Sequence, residues 1–310
     1  MKNMKHVEIS GGGYTARIDP SRGANLISLR NDSYSAALLR EPPADGVLDN
    51  PYLYGMPILF PVNRIENGRF TFEGREYVFP INEPDTGCHL HGALHETPFA
   101  LSERSDNKAV FCYTATSERP YLSFPHPFEI RMEYALDAEG LCHTVTAVNT
   151  SDTNMPLFLG FHTTFNTLFL KESKPEDMRV YADITEEYER NMAVNYLPTG
   201  RKLPFDAVSA ALSEGIFQPF GGPISRHYRG KGKMSVTDLA NKCRLVYEND
   251  EKYTFRLIYN GGKAGYICLE PQNCLANCAN SPFTREEAGF DRLAPGESKT
   301  YRSRIYLEAL

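Results

Sequence analysis

The chain has 310 residues, of which 41% are hydrophobic and 23% charged, and its formal net charge at neutral pH is −6. This composition is ordinary for a globular protein, and the length is sufficient to bury a large core. The acidic balance argues against nucleic acid as a partner, because phosphate binding requires a basic surface. Since no apolar run approaches the roughly 18 residues that cross a bilayer, we expect no membrane partner either.

The N-terminus and the cysteines indicate a cellular compartment. Residues 1–10 contain two lysines and a histidine but lack the apolar segment of a secretory signal. The seven cysteines are an odd number, which favours reduced thiols. We therefore expect a cytoplasmic protein. Cys274 and Cys278 lie four residues apart with no CxxC pair nearby, which favours incidental thiols over a metal site.

Strand patterns dominate the sequence. In chain order, the candidates are residues 14–18, 25–29, a hairpin over 68–79, 110–116, a second hairpin over 128–149, 253–259 and 266–269. The first hairpin is predicted because aromatic residues alternate on both sides of Glu73-Gly74, where glycine permits a tight turn. In the second, apolar and polar residues alternate with period two before and after a turn at 137–140, as in half-buried strands.

Helical periodicity is scarce, and only residues 206–212 suggest a short helix. The 21 prolines and 23 glycines are spread along the chain without forming a linker. Many short strands with frequent turns indicate an all-β sandwich or barrel. We expect residues 1–310 to form a single domain of antiparallel strands, with helix content under about a fifth, against a base rate near a third.

A first polar cluster contains three histidines, His89, His91 and His95. If they lie on a strand, His89 and His91 share one face and could be metal ligands. The alternative is ordinary surface or core histidines. Because no carboxylate stands at a familiar zinc-ligand spacing, we predict no metal site at these histidines and no metal requirement for activity.

Two further polar residues stand in apolar surroundings. His162 lies among aromatic and small residues of the segment 158–166, as either a core histidine or a general acid–base group. Glu270 directly follows the apolar run 266–269. It is either a buried functional carboxylate or a strand-end residue exposed in a loop, since fully buried glutamates are rare unless paired or functional.

Six segments occur in a fixed order along nearly the whole chain. They are Asn63-Arg64-Ile65 with Asn67-Gly68 and Phe70, His91-Gly92, His162 with Phe165-Asn166, Pro198-Thr199-Gly200, Glu270, and Leu293-Ala294-Pro295-Gly296-Glu297. This series resembles the aldose 1-epimerase (galactose mutarotase-like) family. The resemblance implies a β-supersandwich with a sugar cleft. It also implies that Glu270 is the general base, His162 the general acid, and His91 and Arg64 sugar-binding residues.

The sequence departs from the family pattern at two places. Ala93-Leu94 follow the first His-Gly pair, and the chain has no tryptophan. Residues 222–229 contain no aspartate, although mutarotases carry a sugar-binding aspartate in the comparable region. The sequence therefore resembles the mutarotase-like branch more than galactose mutarotase itself, and the identity of the sugar stays open.

The resemblance implies an isomerase that interconverts the α and β anomers of a free aldose. A base removes the proton of the C1 hydroxyl while an acid protonates the ring oxygen, and the opened sugar rotates before it closes again. We expect a carboxylate that is ionised near neutral pH and a partly protonated histidine, on opposite sides of the anomeric centre. No hydride, electron or phosphoryl group moves, so we expect no cofactor.

Two alternatives remain. In a hexose-6-phosphate 1-epimerase, the stretch of Arg226, His227, Arg229 and Lys231 could bind the phosphate, although a solvated basic loop is the simpler interpretation. A noncatalytic carbohydrate-binding protein is the second, because a fold does not determine an activity. In each case the partner is a small sugar, and the protein is a monomer or a homodimer.

Overall fold

The computed structural model describes residues 6–310. Strands account for 49% of it and helices for 8%, which confirms the predicted all-β class and the low helix content. The architecture is an antiparallel β-sandwich. Within residues 6–310, no helix has the length and apolarity needed to cross a membrane.

The strands are β1 (Val7–Gly11), β2 (Tyr14–Asp19), β3 (Asn25–Asn31), β4 (Ala36–Ala37), β5 (Ile58–Leu59), β6 (Arg64–Glu66), β7 (Arg69–Phe72), β8 (Arg75–Val78), β9 (Cys88–Leu90), β10 (Ala100–Arg104), β11 (Lys108–Ala115), β12 (Phe128–Asp137), β13 (Gly140–Asn149), β14 (Met155–Leu157), β15 (Gly160–Phe161), β16 (Thr164–Asn166), β17 (Met178–Arg190), β18 (Pro198–Leu203), β19 (Ser225–Asp238), β20 (Cys243–Asn249), β21 (Phe255–Tyr259), β22 (Tyr266–Gln272), β23 (Asp291–Leu293) and β24 (Ser298–Ala309). The α-helix α1 spans Ala207–Glu214, and short 3₁₀ turns lie at Pro51–Leu53, Pro84–Thr86, Leu94–Glu96, Pro175–Asp177 and Cys278–Asn280.

The strands form one large and several small sheets. The large sheet has 14 strands in the order β10-β11-β12-β13-β24-β20-β19-β21-β22-β15-β5, with β16 also paired to β22, β17 to β19, and β18 to β17. A four-stranded sheet contains β1 to β4 in sequence order, and β14-β23, β6-β9 and β7-β8 form separate pairs. The chain order of the strands differs from their order in the large sheet, so residues distant in sequence meet at its centre.

The local sequence patterns correspond to the observed elements. Residues of β12 and β13 alternate between buried and partly exposed positions, and the two strands pair from Asp137 opposite Gly140 outward. In the β7–β8 hairpin, Glu73 and Gly74 have φ values of 47° and 77°, the left-handed conformation of a tight hairpin turn. The short helix α1 begins after Asp206, whose carboxylate accepts two backbone N–H bonds of its first turn.

Aromatic packing in the core reaches the segment that carries His91. The rings of Phe60 and Tyr121 lie 5.9 Å apart, and both contact Phe128. The Tyr121 hydroxyl donates to the Phe60 carbonyl oxygen and accepts the N–H of Ala93 at 2.6 Å. A buried tyrosine with both hydrogen-bonding functions satisfied holds its neighbours in place. The core therefore orients the turn that follows His91.

We expect Gly92→Ala to destabilise the protein more than Gly74→Ala. Both glycines have positive φ, 64° and 77°, so either alanine costs about 1–2 kcal/mol in backbone strain. At Gly92 the new Cβ would also lie 1.8 Å from the Phe60 carbonyl oxygen, whereas at Gly74 it meets nothing within 4 Å. Thermal denaturation of the two variants measures the difference. Equal melting temperatures would show that the backbone around Gly92 can move away from the new Cβ with no loss of stability.

Candidate active site

Strand register brings His162 and Glu270 together. On β22, Cys268 is aligned with Thr164 of β16, and β15 pairs with β22 in the same register. Counting along the two antiparallel chains places His162, in the interruption between β15 and β16, opposite Glu270. The segment between β15 and β16 stays hydrogen-bonded to β22, because the Thr163 carbonyl oxygen accepts the N–H of Leu269 at 2.9 Å.

The imidazole and the carboxyl group are in direct contact. Nε2 of His162 lies 3.2 Å from Oε1 of Glu270. The second carboxyl oxygen, Oε2, accepts a hydrogen bond from Gln272 Nε2 at 3.1 Å, and Gln272 in turn accepts one from Asn63 at 3.3 Å. The Glu270 residue is 1% exposed and lies inside β22, so an exposed strand-end position is excluded.

Burial changes the protonation of this pair from the expected one. It lowers the pKa of His162 to about 3 and raises the pKa of Glu270 to about 8. The expectation of a carboxylate and a partly protonated histidine with ordinary pKa values is therefore wrong, because removal from water penalises both charged forms. Between the two pKa values the pair holds one proton in total. The uncharged arrangement, a carboxyl group beside a neutral imidazole, is the one that burial favours.

His91 reaches the same site through an irregular backbone. The strand β9 ends at Leu90, and His91 has a φ of 61°, so His89 and His91 do not share a strand face as expected. His89 instead donates from Nδ1 to the Pro80 carbonyl oxygen at 2.7 Å. Burial, followed by the nearby His162, holds the pKa of His91 well below its ordinary value. Its Nδ1 accepts the Asn63 N–H at 3.2 Å, which places the ring proton on Nε2.

Arg64 is held beside the site by an ion pair. Its Nε and Nη2 each donate to a carboxylate oxygen of Glu83 at 2.6 Å. The guanidinium group also lies over the ring of Tyr196, 4.6 Å from the ring centre. Such a bidentate, stacked arginine has a defined orientation. Since Glu83 binds two of the three guanidinium nitrogens, only the third remains available to donate to a ligand.

These residues line one cleft. Its volume is about 710 Å³, and Arg64, His91, His162 and Glu270 all contribute to its wall. The cleft also contains three tyrosines that the sequence did not indicate, Tyr52, Tyr196 and Tyr259. The Tyr52 ring lies 4.7 Å from that of His91 and 6.0 Å from that of His162. Phe161 and Phe165, which lie near His162 in the sequence, are core residues with no exposure.

Arg190 is a further charged residue of the cleft that the sequence analysis missed. It is 8% exposed, and its Nη2 donates to the Ser225 carbonyl and hydroxyl oxygens at 2.5 and 2.9 Å. Burial, with the neighbouring charge of Arg64, lowers the pKa of Arg190 to about 10. The charge of Arg190 in turn favours the ionised form of Glu270. The alternation of β17 could not have indicated Arg190, because the pairing register shifts between Tyr188 and Arg190.

The basic stretch from Arg226 to Lys231 belongs to β19 and is not a solvated loop. Arg226 lines the cleft, but its guanidinium is bound to Asp206 at 2.7 Å and to Glu187 at 3.1 Å. Arg229 is bound to Glu186 at 3.1 Å. Both arginines are therefore already ion-paired with carboxylates of this protein.

Potential metal ligands converge at one place in residues 6–310. Donor atoms of His162, Cys268 and Glu270 lie within 4.8 Å of one another. In this part of the chain, the three histidines of the first cluster do not form such a group.

The sequence profile of the aldose 1-epimerase family matches residues 5–306. The chain belongs to this family. This membership confirms the resemblance found in the sequence. The family is one of carbohydrate epimerases, so it implies a sugar as the ligand.

Solved structures of the family have the same fold. A galactose mutarotase-like protein from Clostridium acetobutylicum superposes with a TM-score of 0.92; the chains are 29% identical, and the match covers 98% of this chain and 95% of the other. A galactose 1-epimerase from Lactobacillus acidophilus has a TM-score of 0.72 over 100% of this chain and 96% of its own. At 17% identity, the likeness to the second is one of fold alone.

Two Escherichia coli proteins are similar in sequence. YphB is 21% identical over 278 residues, which are 88% of this chain and 89% of YphB. YihR is 28% identical over 160 residues, which are 50% of this chain. The match spans about half the length of YihR, 48%.

We expect Glu270→Gln to stabilise the protein increasingly as pH rises. In the folded protein the pKa of Glu270 is about 8, against 4.5 without burial. Between these values the unfolded chain releases the proton and the folded protein keeps it, so the wild type loses stability as pH rises. The glutamine variant lacks this loss, and by pH 8 its relative gain should be on the order of 2–4 kcal/mol.

Melting temperatures from pH 4.5 to 9 test this expectation. The difference between variant and wild type should grow up to about pH 8 and then level off. Glu133→Gln, which removes a carboxylate paired with Lys108 and Arg131, serves as the control and should show no such growth. Parallel curves for Glu270→Gln and the wild type would contradict a raised pKa for Glu270.

Proposed function

We propose that this protein is an aldose 1-epimerase, which interconverts the α and β anomers of a free aldose. The observation that supports this most is the 3.2 Å contact between His162 Nε2 and Glu270 Oε1 in the wall of an open cleft. Paired acid and base groups of this kind typically contribute about 10²–10⁴-fold each to a proton transfer. A protein that only binds sugars has no need of two buried titratable groups that share one proton.

The adjacency of the two groups suits the reaction better than the opposed arrangement expected from the sequence. The C1 hydroxyl oxygen and the ring oxygen are bonded to the same anomeric carbon, so they lie close together. Glu270 can accept the hydroxyl proton while His162 donates to the ring oxygen, and the C1–O bond of the ring breaks. Rotation about C1–C2 and closure by the reverse proton transfers yield the other anomer.

Burial sets the proton balance of the pair. The resting pair is a carboxyl group beside a neutral imidazole, so its proton first passes from Glu270 to His162 across their 3.2 Å contact. The resulting carboxylate and imidazolium open the ring, which returns the pair to a carboxyl group and a neutral imidazole. The total number of protons on the pair is unchanged. Because burial penalises both charges, the charged pair is a minor form of the resting site, and the proton transfers of ring opening restore the uncharged form that burial favours. Arg190 acts in the other direction by favouring the ionised form of Glu270, which keeps the base available.

The remaining cleft residues supply orientation. His91 presents Nε2–H as a donor for a sugar hydroxyl, and Arg64 offers the guanidinium nitrogen that Glu83 leaves unoccupied. Tyr52 and Tyr259 provide faces for the C–H surface of the ring. We favour a free aldose over a 6-phosphate, because Arg226 and Arg229 already bind carboxylates.

Polarimetry on freshly dissolved α-glucose, α-galactose and their 6-phosphates tests the proposal. The wild type should accelerate mutarotation of a free sugar. Glu270→Gln should lower the catalytic constant about 10²–10⁴-fold with sugar affinity changed only a few fold, since glutamine keeps the shape but cannot accept the proton. Glu133→Gln is the matched control. Acceleration of the 6-phosphates alone would overturn the free-aldose assignment, and sugar binding without any turnover would indicate a binding protein.

We expect the pH profile of kcat/KM to have its upper limb near pH 8. The pair keeps its single proton between the pKa of His162, about 3, and that of Glu270, about 8. Activity should be flat up to nearly pH 8 and then fall about tenfold per pH unit, as the one proton is lost.

Arg190→Gln should move this limb to higher pH, because the charge of Arg190 lowers the pKa of Glu270. Arg201→Gln removes an exposed guanidinium paired with Glu189 and should leave the limb in place. A bell-shaped profile with limbs near 4.5 and 6.5, the values without burial, would show that the two groups titrate independently.

A further inference from the structure

Cys268 lies beside the acid–base pair without a part in the proposed chemistry. It precedes Glu270 by two residues on β22, so both side chains point to the same face of the strand. Cys268 is fully buried, and its Sγ lies 3.4 Å from the hydroxyl oxygen of Thr164. Its sulfur, a nitrogen of His162 and a carboxyl oxygen of Glu270 are mutually within 4.8 Å.

We propose that these three side chains form an inhibitory binding site for a thiophilic divalent cation of the zinc type. The ion would be held by Cys268 Sγ, His162 Nε2 and Glu270 Oε1, with its fourth position directed to the cleft and filled by water. The binding itself stands independently of the sugar chemistry; only the inhibition rests on the proposed function.

The spacing suits tetrahedral zinc. Zinc–ligand distances of about 2.0–2.3 Å place neighbouring donors of a tetrahedral site roughly 3.3–3.8 Å apart. Nε2 of His162 and Oε1 of Glu270 already lie 3.2 Å apart. The Cys268 sulfur lies within 4.8 Å of a ring nitrogen of His162 and of a carboxyl oxygen of Glu270, so about an ångström of adjustment would bring it to the tetrahedral spacing. The other carboxyl oxygen of Glu270 is held by Gln272, which orients the ligand.

The donor set selects the ion. One thiolate, one imidazole and one carboxylate match zinc or cobalt, whereas magnesium and calcium require mostly oxygen ligands. Structural zinc sites have four protein ligands, whereas sites with three protein ligands keep one position open to water or substrate. His162 and Glu270 both line the cleft, so the ion can enter from the side on which the sugar binds.

Occupation of this site would prevent epimerisation. The ion bonds to the nitrogen and the oxygen that must exchange protons with the sugar. Binding releases the thiol proton of Cys268 and the proton shared by His162 and Glu270 to solvent. The ion would therefore compete with the sugar, and a chelator would restore activity.

Cobalt spectroscopy on the chelator-treated protein tests binding without reference to activity. Cobalt(II) should produce a near-ultraviolet thiolate-to-metal absorption in the wild type and in Cys274→Ser, and none in Cys268→Ser. Zinc titration by calorimetry should show affinity reduced about tenfold or more in Cys268→Ser, since even indirect supports of a metal ligand contribute 10–100-fold. Cys274→Ser is the matched control, a second fully buried thiol outside the group.

Mutarotation assays test the inhibition. Zinc should raise the apparent KM of the wild type, and Cys268→Ser should keep its turnover but require about tenfold or more zinc for the same effect. Cys268→Ala provides a second variant should the serine disturb folding. Absence of zinc binding to the wild type, or a cobalt band that persists without Cys268, would overturn the proposal. If no sugar is turned over, the cobalt and zinc titrations still decide the metal site, so the two proposals fail separately.

Discussion

Glu270 and His162 meet inside the large sheet because β22 is hydrogen-bonded along both edges. On one side β21 aligns Leu257 with Glu270, and on the other β15 and β16 leave a short interruption at His162. A carboxyl group on a doubly paired strand cannot withdraw toward water. The contact between the two side chains, and the shifted pKa values of both, follow from this constraint.

The same constraint connects stability with chemistry. A buried carboxyl group that titrates near pH 8 lowers the stability of the folded protein at neutral and alkaline pH. The fold tolerates this because the carboxyl group is not isolated: Gln272 binds it, and Asn63 binds Gln272. Since Asn63 also donates its backbone N–H to His91, one hydrogen-bonded chain joins Glu270 to His91.

Charge is distributed unevenly around the cleft. Arg64 and Arg226 are each paired with carboxylates, so their orientation is well defined and their positive charge is largely compensated. Arg190 is buried and bonded only to the neutral oxygens of Ser225 among its hydrogen-bond partners in residues 6–310. Its charge lowers the pKa of Glu270, although burial, the larger effect, raises it. Arg64 also favours the ionised form of Glu270, to a smaller extent than Arg190.

The sequence by itself determined the strand hairpins, the short helix α1 and the all-β class, because alternation, turn residues and caps act over a few neighbouring residues. The ordered family motifs also indicated Arg64, His91, His162 and Glu270. Only the tertiary structure decided that Glu270 and His162 touch, that their pKa values are reversed from the expected order, and that Arg190 belongs to the cleft. These features arise from pairing between strands far apart in the chain and from the exclusion of water by the whole sandwich, which no local pattern records.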